Sequence, residues 1–151
     1  MKFEIEYTGV SEDRLLVYRI EEHSFDMEPW IYELDFEIAI NTLTLAVVDK
    51  KIIQLNGFCG LNKKMKSNFQ VPKSQKGILK VLDDLEPGIG SYSASKEDLP
   101  VYVNANTGWV CIGNPEKKGN AVEFVNSCVA VIDDDKGFVS LWLKPDRLPD
   151  I

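Results

Sequence analysis

Histidine is nearly absent from this sequence: His23 is the only one in 151 residues. A metal centre built from several imidazoles is thereby excluded. Cysteine is scarce and odd in number. Cys59, Cys111 and Cys128 show no CxxC spacing, whereas a disulfide-stabilised secreted domain carries an even set. Three reduced thiols are expected, with Cys111 and Cys128 acting as small buried apolar residues. No apolar run approaches the ~18 residues of a membrane span. From Lys2 to Glu6 charged and apolar residues alternate, in place of the unbroken apolar stretch of a signal peptide. The chain is therefore read as cytoplasmic and unattached to membrane. A phosphate-binding glycine loop is also missing. Gly88-Ile89-Gly90 has no third glycine and does not join a strand to a helix. There is no internal repeat, low-complexity tract or linker, so residues 1–151 read as a single β-rich domain of ordinary size.

What is present suits a folded protein: 44% hydrophobic and 27% charged residues, near the globular average. The net charge of −7 is unevenly spread. Residues 1–50 hold 12 acidic and 4 basic side chains, residues 51–80 hold 7 lysines and no acid, and residues 81–151 hold 12 acidic and 6 basic. A duplex nucleic-acid binder needs a broad basic footprint, and this acidic balance argues against one.

Period-two alternation is the main structural signal. Phe3, Ile5 and Tyr7 share one strand face, and Leu34, Phe36, Ile38 and Ile40 another. Arg14–Ile20 is β-branched and aromatic enough for a strand, with a short helix from Ser11 as the competitor. Leu43–Val48 and Ile52–Leu55 flank a polar turn, the pattern of a hairpin. Asn104–Gly108 predicts a second hairpin, because Asn and Gly tolerate positive φ. Asp133–Gly137 predicts a third, between Cys128–Ile132 and Phe138–Leu143. Residues 57–77 read as loop with at most one helical turn. Ile78–Leu85 fits either a helix or a strand. The expectation is a mostly β fold, an antiparallel sandwich or partly open barrel of about 9–10 short strands with at most one or two short helices, and α+β as the alternative.

No constellation carries a catalytic signature. Cys59 and His23 could form a thiol–imidazole pair, but Gly57-Phe58-Cys59-Gly60 matches no nucleophile motif, so a loop cysteine and a surface histidine are expected. Asp133–Asp135 lacks the spacing of a calcium loop and reads as a solvated turn. No catalytic residue, metal or cofactor is expected. Two surface candidates remain. The first is Glu21–Glu37, which mixes carboxylates with aromatics; Glu28, Trp30, Tyr32 and Glu33 are the partner-binding candidates there. The second is the basic loop around Lys63, Lys64 and Lys66. It has too few aromatics for a nucleic-acid platform and reads as a solvated lysine loop that offsets the acidic body or covers a sheet edge.

These observations favour a non-enzymatic acidic module that binds a basic protein, in the manner of inhibitors and immunity-type proteins. That analogy rests on size and charge alone. The alternative is a small-ligand or sugar-binding β-barrel with Trp30, Trp109 or Trp142 as a stacking floor. An enzyme of unknown class stands third. Trp109 and Trp142 are expected in the core.

Overall fold

The computed structural model describes residues 1–61, 65–87, 91–95 and 97–150. The protein is mostly β, and two sheets enclose one main apolar core. Strands β1 (Phe3–Glu6), β2 (Leu15–Arg19), β3 (Ser24–Glu28), β4 (Phe36–Ile40), β5 (Leu43–Val48) and β6 (Lys51–Phe58) belong to sheet 1. So do β9 (Ile78–Val81) and β10 (Ser91–Ser93). Sheet 2 holds β7 (Met65–Lys66), β8 (Gln75–Lys76), β11 (Val101–Asn104) and β12 (Trp109–Gly113). It is completed by β13 (Asn120–Val125), β14 (Cys128–Ile132) and β15 (Phe138–Leu143). Ile20–Glu22 forms a 3-10 turn, and Leu61 is also in 3-10 conformation.

Sheet 1 runs β1-β9-β6-β5-β4-β10, and β3 and β2 branch from β6. The eight residues of β6 are shared: Lys51 pairs with Lys80 of β9, while Gly57 and Phe58 pair with Phe25 and Ser24 of β3. Sheet 2 runs β7-β11-β12-β15-β14-β13-β8. The long ladders are antiparallel. The parallel pairings, β10 on β4, β7 on β11 and β8 on β13, involve strands of two or three residues at the sheet edges. Strands this short leave little periodic signal, which is why the described residues hold fifteen strands where the sequence pattern suggested fewer. β3 is the other addition, inside the acidic segment.

The main core takes Phe3, Tyr18, Phe25, Ile38, Leu45 and Leu55 from sheet 1 and Val103, Ile112, Phe124, Ala130 and Leu141 from sheet 2. A second, smaller cluster lies on the outer face of sheet 2, around Val129, Val131, Val139 and Trp142. It exists because the segment after β7 crosses that face from one edge to the other. Ser67 N–H donates to Val103 O at 2.8 Å. The Phe69 ring meets Tyr102 edge-on at 5.2 Å. Asn104 Nδ2 donates to Phe69 O at 3.0 Å. The chain then joins β13 through β8. β14 and β15 are thus covered on both faces, which accounts for the unbroken apolar sequence of β14 and for that of β15 apart from Ser140.

The predicted turns form. Asp49 and Lys50 both have positive φ, the geometry that matches strand twist in a two-residue hairpin. Asn104 Oδ1 accepts from the N–H groups of Asn106 and Thr107, and Gly108 closes that turn at φ 85°. Other expectations are corrected. The competing helix at Ser11–Asp13 does not form; instead Glu12 bridges to Val125 of sheet 2. Cys59 does lie in a loop, as expected, but it is not solvated there: it is 7% exposed and belongs to the main core. Trp142 is a core residue as expected, 2% exposed in the outer cluster, whereas Trp109 packs against that cluster only half-buried. Among the described residues no helix is long and apolar enough to cross a membrane.

Candidate functional site

Glu21–Glu37 contains seven carboxylates and no lysine or arginine, and the fold treats its parts differently. β3 alternates, with Phe25 and Met27 buried in the core and Asp26 and Glu28 turned outward. Opposite them on β2 stand Val17 and Leu15. Arg19 reaches across this face and pairs with Asp26 at 3.1 Å and Glu28 at 3.2 Å. Both carboxylates, Asp26 first, raise the guanidinium pKa above its ordinary value. Glu28 is therefore exposed but partly neutralised within its own sheet.

After Glu28 the backbone leaves the ladder, and two buried polar side chains hold it. Arg14, 8% exposed, donates from Nη1 to Pro29 O at 2.9 Å and from Nε to Ile53 O at 3.1 Å. Gln54, 0% exposed, accepts the Ile31 N–H at Oε1 (3.0 Å) and donates from Nε2 to Ile31 O (2.6 Å). A buried amide must satisfy its hydrogen bonds, and here the satisfied partner is a loop backbone. Trp30 packs inward against the main core. Tyr32 is left 86% exposed beside exposed Ile31 and Glu33. Leu15, 55% exposed, stands opposite Glu28.

The structure thus divides the four candidates. Tyr32 and Glu33 project from a clamped loop, Glu28 sits at the end of β3 beside Arg19, and Trp30 is a half-buried support. Arg14 and Gln54, which hold this loop, were passed over by sequence reasoning. Gln54 did carry a signal: it is the single polar residue inside the apolar run Ile52–Leu55, and a polar side chain at such a position needs a buried partner.

The other candidates fall elsewhere. Lys66 is exposed on β7, while Lys63 and Lys64 lie outside the described residues. His23 and Cys59 are joined by a backbone hydrogen bond, Cys59 N–H to His23 O at 2.7 Å. Cys59 itself lies beside Tyr18, whose hydroxyl donates to Cys59 O at 2.6 Å. Burial raises the Tyr18 pKa, so the phenol remains a donor. No group of three or more His, Cys, Asp or Glu able to hold a metal ion occurs among the described residues. Asp133 caps the β14–β15 turn: Oδ1 accepts from Gly137 N–H at 2.8 Å and Asp135 N–H at 3.0 Å.

Neither the known protein-family models nor the curated protein sequences give a match to this chain.

Proposed function

We propose that the protein is a non-enzymatic acidic binding module that caps a basic protein through Tyr32 and its neighbours, as inhibitors of basic enzymes do. The observation that carries this reading is the clamp: Tyr32 is 86% exposed on a backbone held by the buried side chains of Gln54 and Arg14. A large exposed aromatic on a free loop would lose entropy on binding. One whose backbone is already ordered avoids much of that cost, and tyrosine is enriched among the residues that dominate interface energetics. The seven carboxylates of Glu21–Glu37 supply charge complementarity, which speeds encounter with a cationic partner.

The test uses the tagged full chain, its Tyr32→Ala variant and its Glu28→Lys/Glu33→Lys variant to capture proteins from a lysate of the source organism. All three substitutions are at exposed positions, so the fold is expected to persist. The expected result is a basic protein retained by wild type. Tyr32→Ala should lose at least about 2 kcal/mol of affinity, mostly through faster dissociation. The double charge reversal should slow association and flatten its salt dependence. A basic partner captured equally by all three proteins would overturn the assignment.

A further inference from the structure

We infer that the basic partner lays an extended segment of its own chain along β2, in a groove whose uncompensated charges are the carboxylates of Glu21, Glu22 and Asp146. This rests on the reading of a basic partner given above and adds which part of that partner is held. β2 is an edge strand, with β3 as its one neighbour in sheet 1. Leu16 and Tyr18 face the main core, so Leu15, Val17 and Arg19 face outward. After β15 the chain returns to the free edge of β2. There the Asp146 N–H donates to Leu16 O at 3.0 Å, and Asp146 Oδ1 accepts the Tyr18 N–H at 3.0 Å. Asp146 and Arg147 thus stand on one side of β2, and Glu28 of β3 on the other. Between them is a groove of about 710 Å³, lined from Leu15 at one end to Glu22 at the other. Leu15 and Arg19 alone are about 13 Å apart along an extended strand, so the groove is long enough for a five-residue segment.

The lining chemistry selects the occupant. Glu21, Glu22, Glu28 and Asp146 line the groove against Arg19 and Arg147. Arg19 is already held by Asp26 at 3.1 Å and Glu28 at 3.2 Å. That leaves Glu21, Glu22 and Asp146 against Arg147 alone. No ion pair among the described residues involves Glu21 or Glu22, so both can receive a cation without losing a partner. A compact small molecule suits a mostly apolar cavity, which this is not. Its exposed apolar surface is Leu15, 55% exposed, at one end, while Glu21 and Glu22 stand exposed at the other. An occupant that meets both ends carries apolar and cationic groups spaced along the length of a strand, as an extended peptide with alternating side chains does. The groove also includes Glu28, the last residue of β3 before the loop that bears Tyr32. A partner seated on Tyr32 therefore has the groove beside it, and charge complementarity at its rim speeds the encounter.

The experiment titrates the full ¹⁵N-labelled chain with a blocked Lys-Val-Lys-Val-Lys peptide, with its Glu-Val-Glu-Val-Glu counterpart, and with spermine, a flexible cation of greater charge. The signals followed are the amides of Leu15 and Glu22, one at each end of the groove. The lysine peptide should shift both, with a dissociation constant of about 1 mM or tighter, and should bind more tightly than spermine. The glutamate peptide should shift neither. Two variants alter exposed residues only. Glu21→Gln/Glu22→Gln should weaken the lysine peptide about threefold or more. Leu15→Ser should weaken it by about as much and leave spermine unchanged. The proposal is overturned if the lysine peptide moves neither signal at about 10 mM, tenfold above that constant, or moves one end alone. It is also overturned if spermine binds as tightly, which would reduce the groove to a cation site, or if both variants bind the peptide undiminished. No captured partner enters this titration, so its failure overturns the groove and leaves the Tyr32 reading to the capture experiment.

Discussion

Gln54 and Ile31 are bonded as neighbouring strands would be, yet Ile31 is not in a strand: the Gln54 side chain takes the place of a backbone, accepting the Ile31 N–H at 3.0 Å and donating to its carbonyl at 2.6 Å. This pairing ties the loop after β3 to β6 and fixes the backbone that carries Tyr32. Gln54→Ala should cost about 1–2 kcal/mol in urea unfolding, the net worth of two neutral hydrogen bonds partly replaced by water. Hydrogen exchange at the Ile31 amide should accelerate more than at the β5 amides. Unchanged Ile31 protection in the variant would show that the clamp does not order the loop.

The outer cluster on sheet 2 should contribute to stability unequally. Trp142 is 2% exposed, and its truncation to alanine should cost about 3–5 kcal/mol. Trp109 is half-buried at the same cluster, so Trp109→Ala should cost less. Melting temperatures of the two variants check the order; a larger fall for Trp109→Ala would contradict it.

Asp133 should impose an acid limit on stability. Hydrogen bonds from Gly137, then from Lys117, hold its carboxyl below the ordinary aspartate pKa of 3.8. A pKa depressed in the folded state gives stability that is present above the unfolded value and is lost as pH falls through the folded one. Denaturation midpoints between about pH 5 and pH 2 should therefore fall more steeply for wild type than for Asp133→Asn, which cannot titrate. Parallel profiles would remove Asp133 from the acid response.

The thiols should be unreactive in the native protein. Burial pushes Cys111 up to about 12 and Cys128 well above its ordinary value, and thiol chemistry runs through the thiolate. Cys59 is 7% exposed. Ellman titration at neutral pH should find almost no reaction in the folded protein and three equivalents after denaturation without reductant. One equivalent would reveal a disulfide.

Much of the fold was legible because it is written locally. The alternation of Phe36-Glu37-Ile38 and the turn chemistry of Asn104–Gly108 and Asp133–Gly137 act within a few residues of themselves. β3, β7, β8 and β10 were not legible. β7 and β8 consist of two polar or flexible residues each, and what makes them strands is the edge of β11 or β13 lying beside them. The same holds for the site. Composition pointed to Glu21–Glu37, but nothing in that segment says that Trp30 faces in and Tyr32 faces out.

The sequence by itself determined the β character, the hairpins, the acidic segment and the absence of a multi-histidine centre, since each follows from residue identity and short-range spacing. Only the tertiary structure decided that Cys59 is core, that residues 67–74 cover sheet 2, and that Arg14 and Gln54 hold the loop bearing Tyr32. Those outcomes depend on partners 15 to 39 positions apart in the case of Arg14 and 23 in the case of Gln54. Contacts at such separations form only when chain closure and core burial bring their elements together, and no local pattern encodes them.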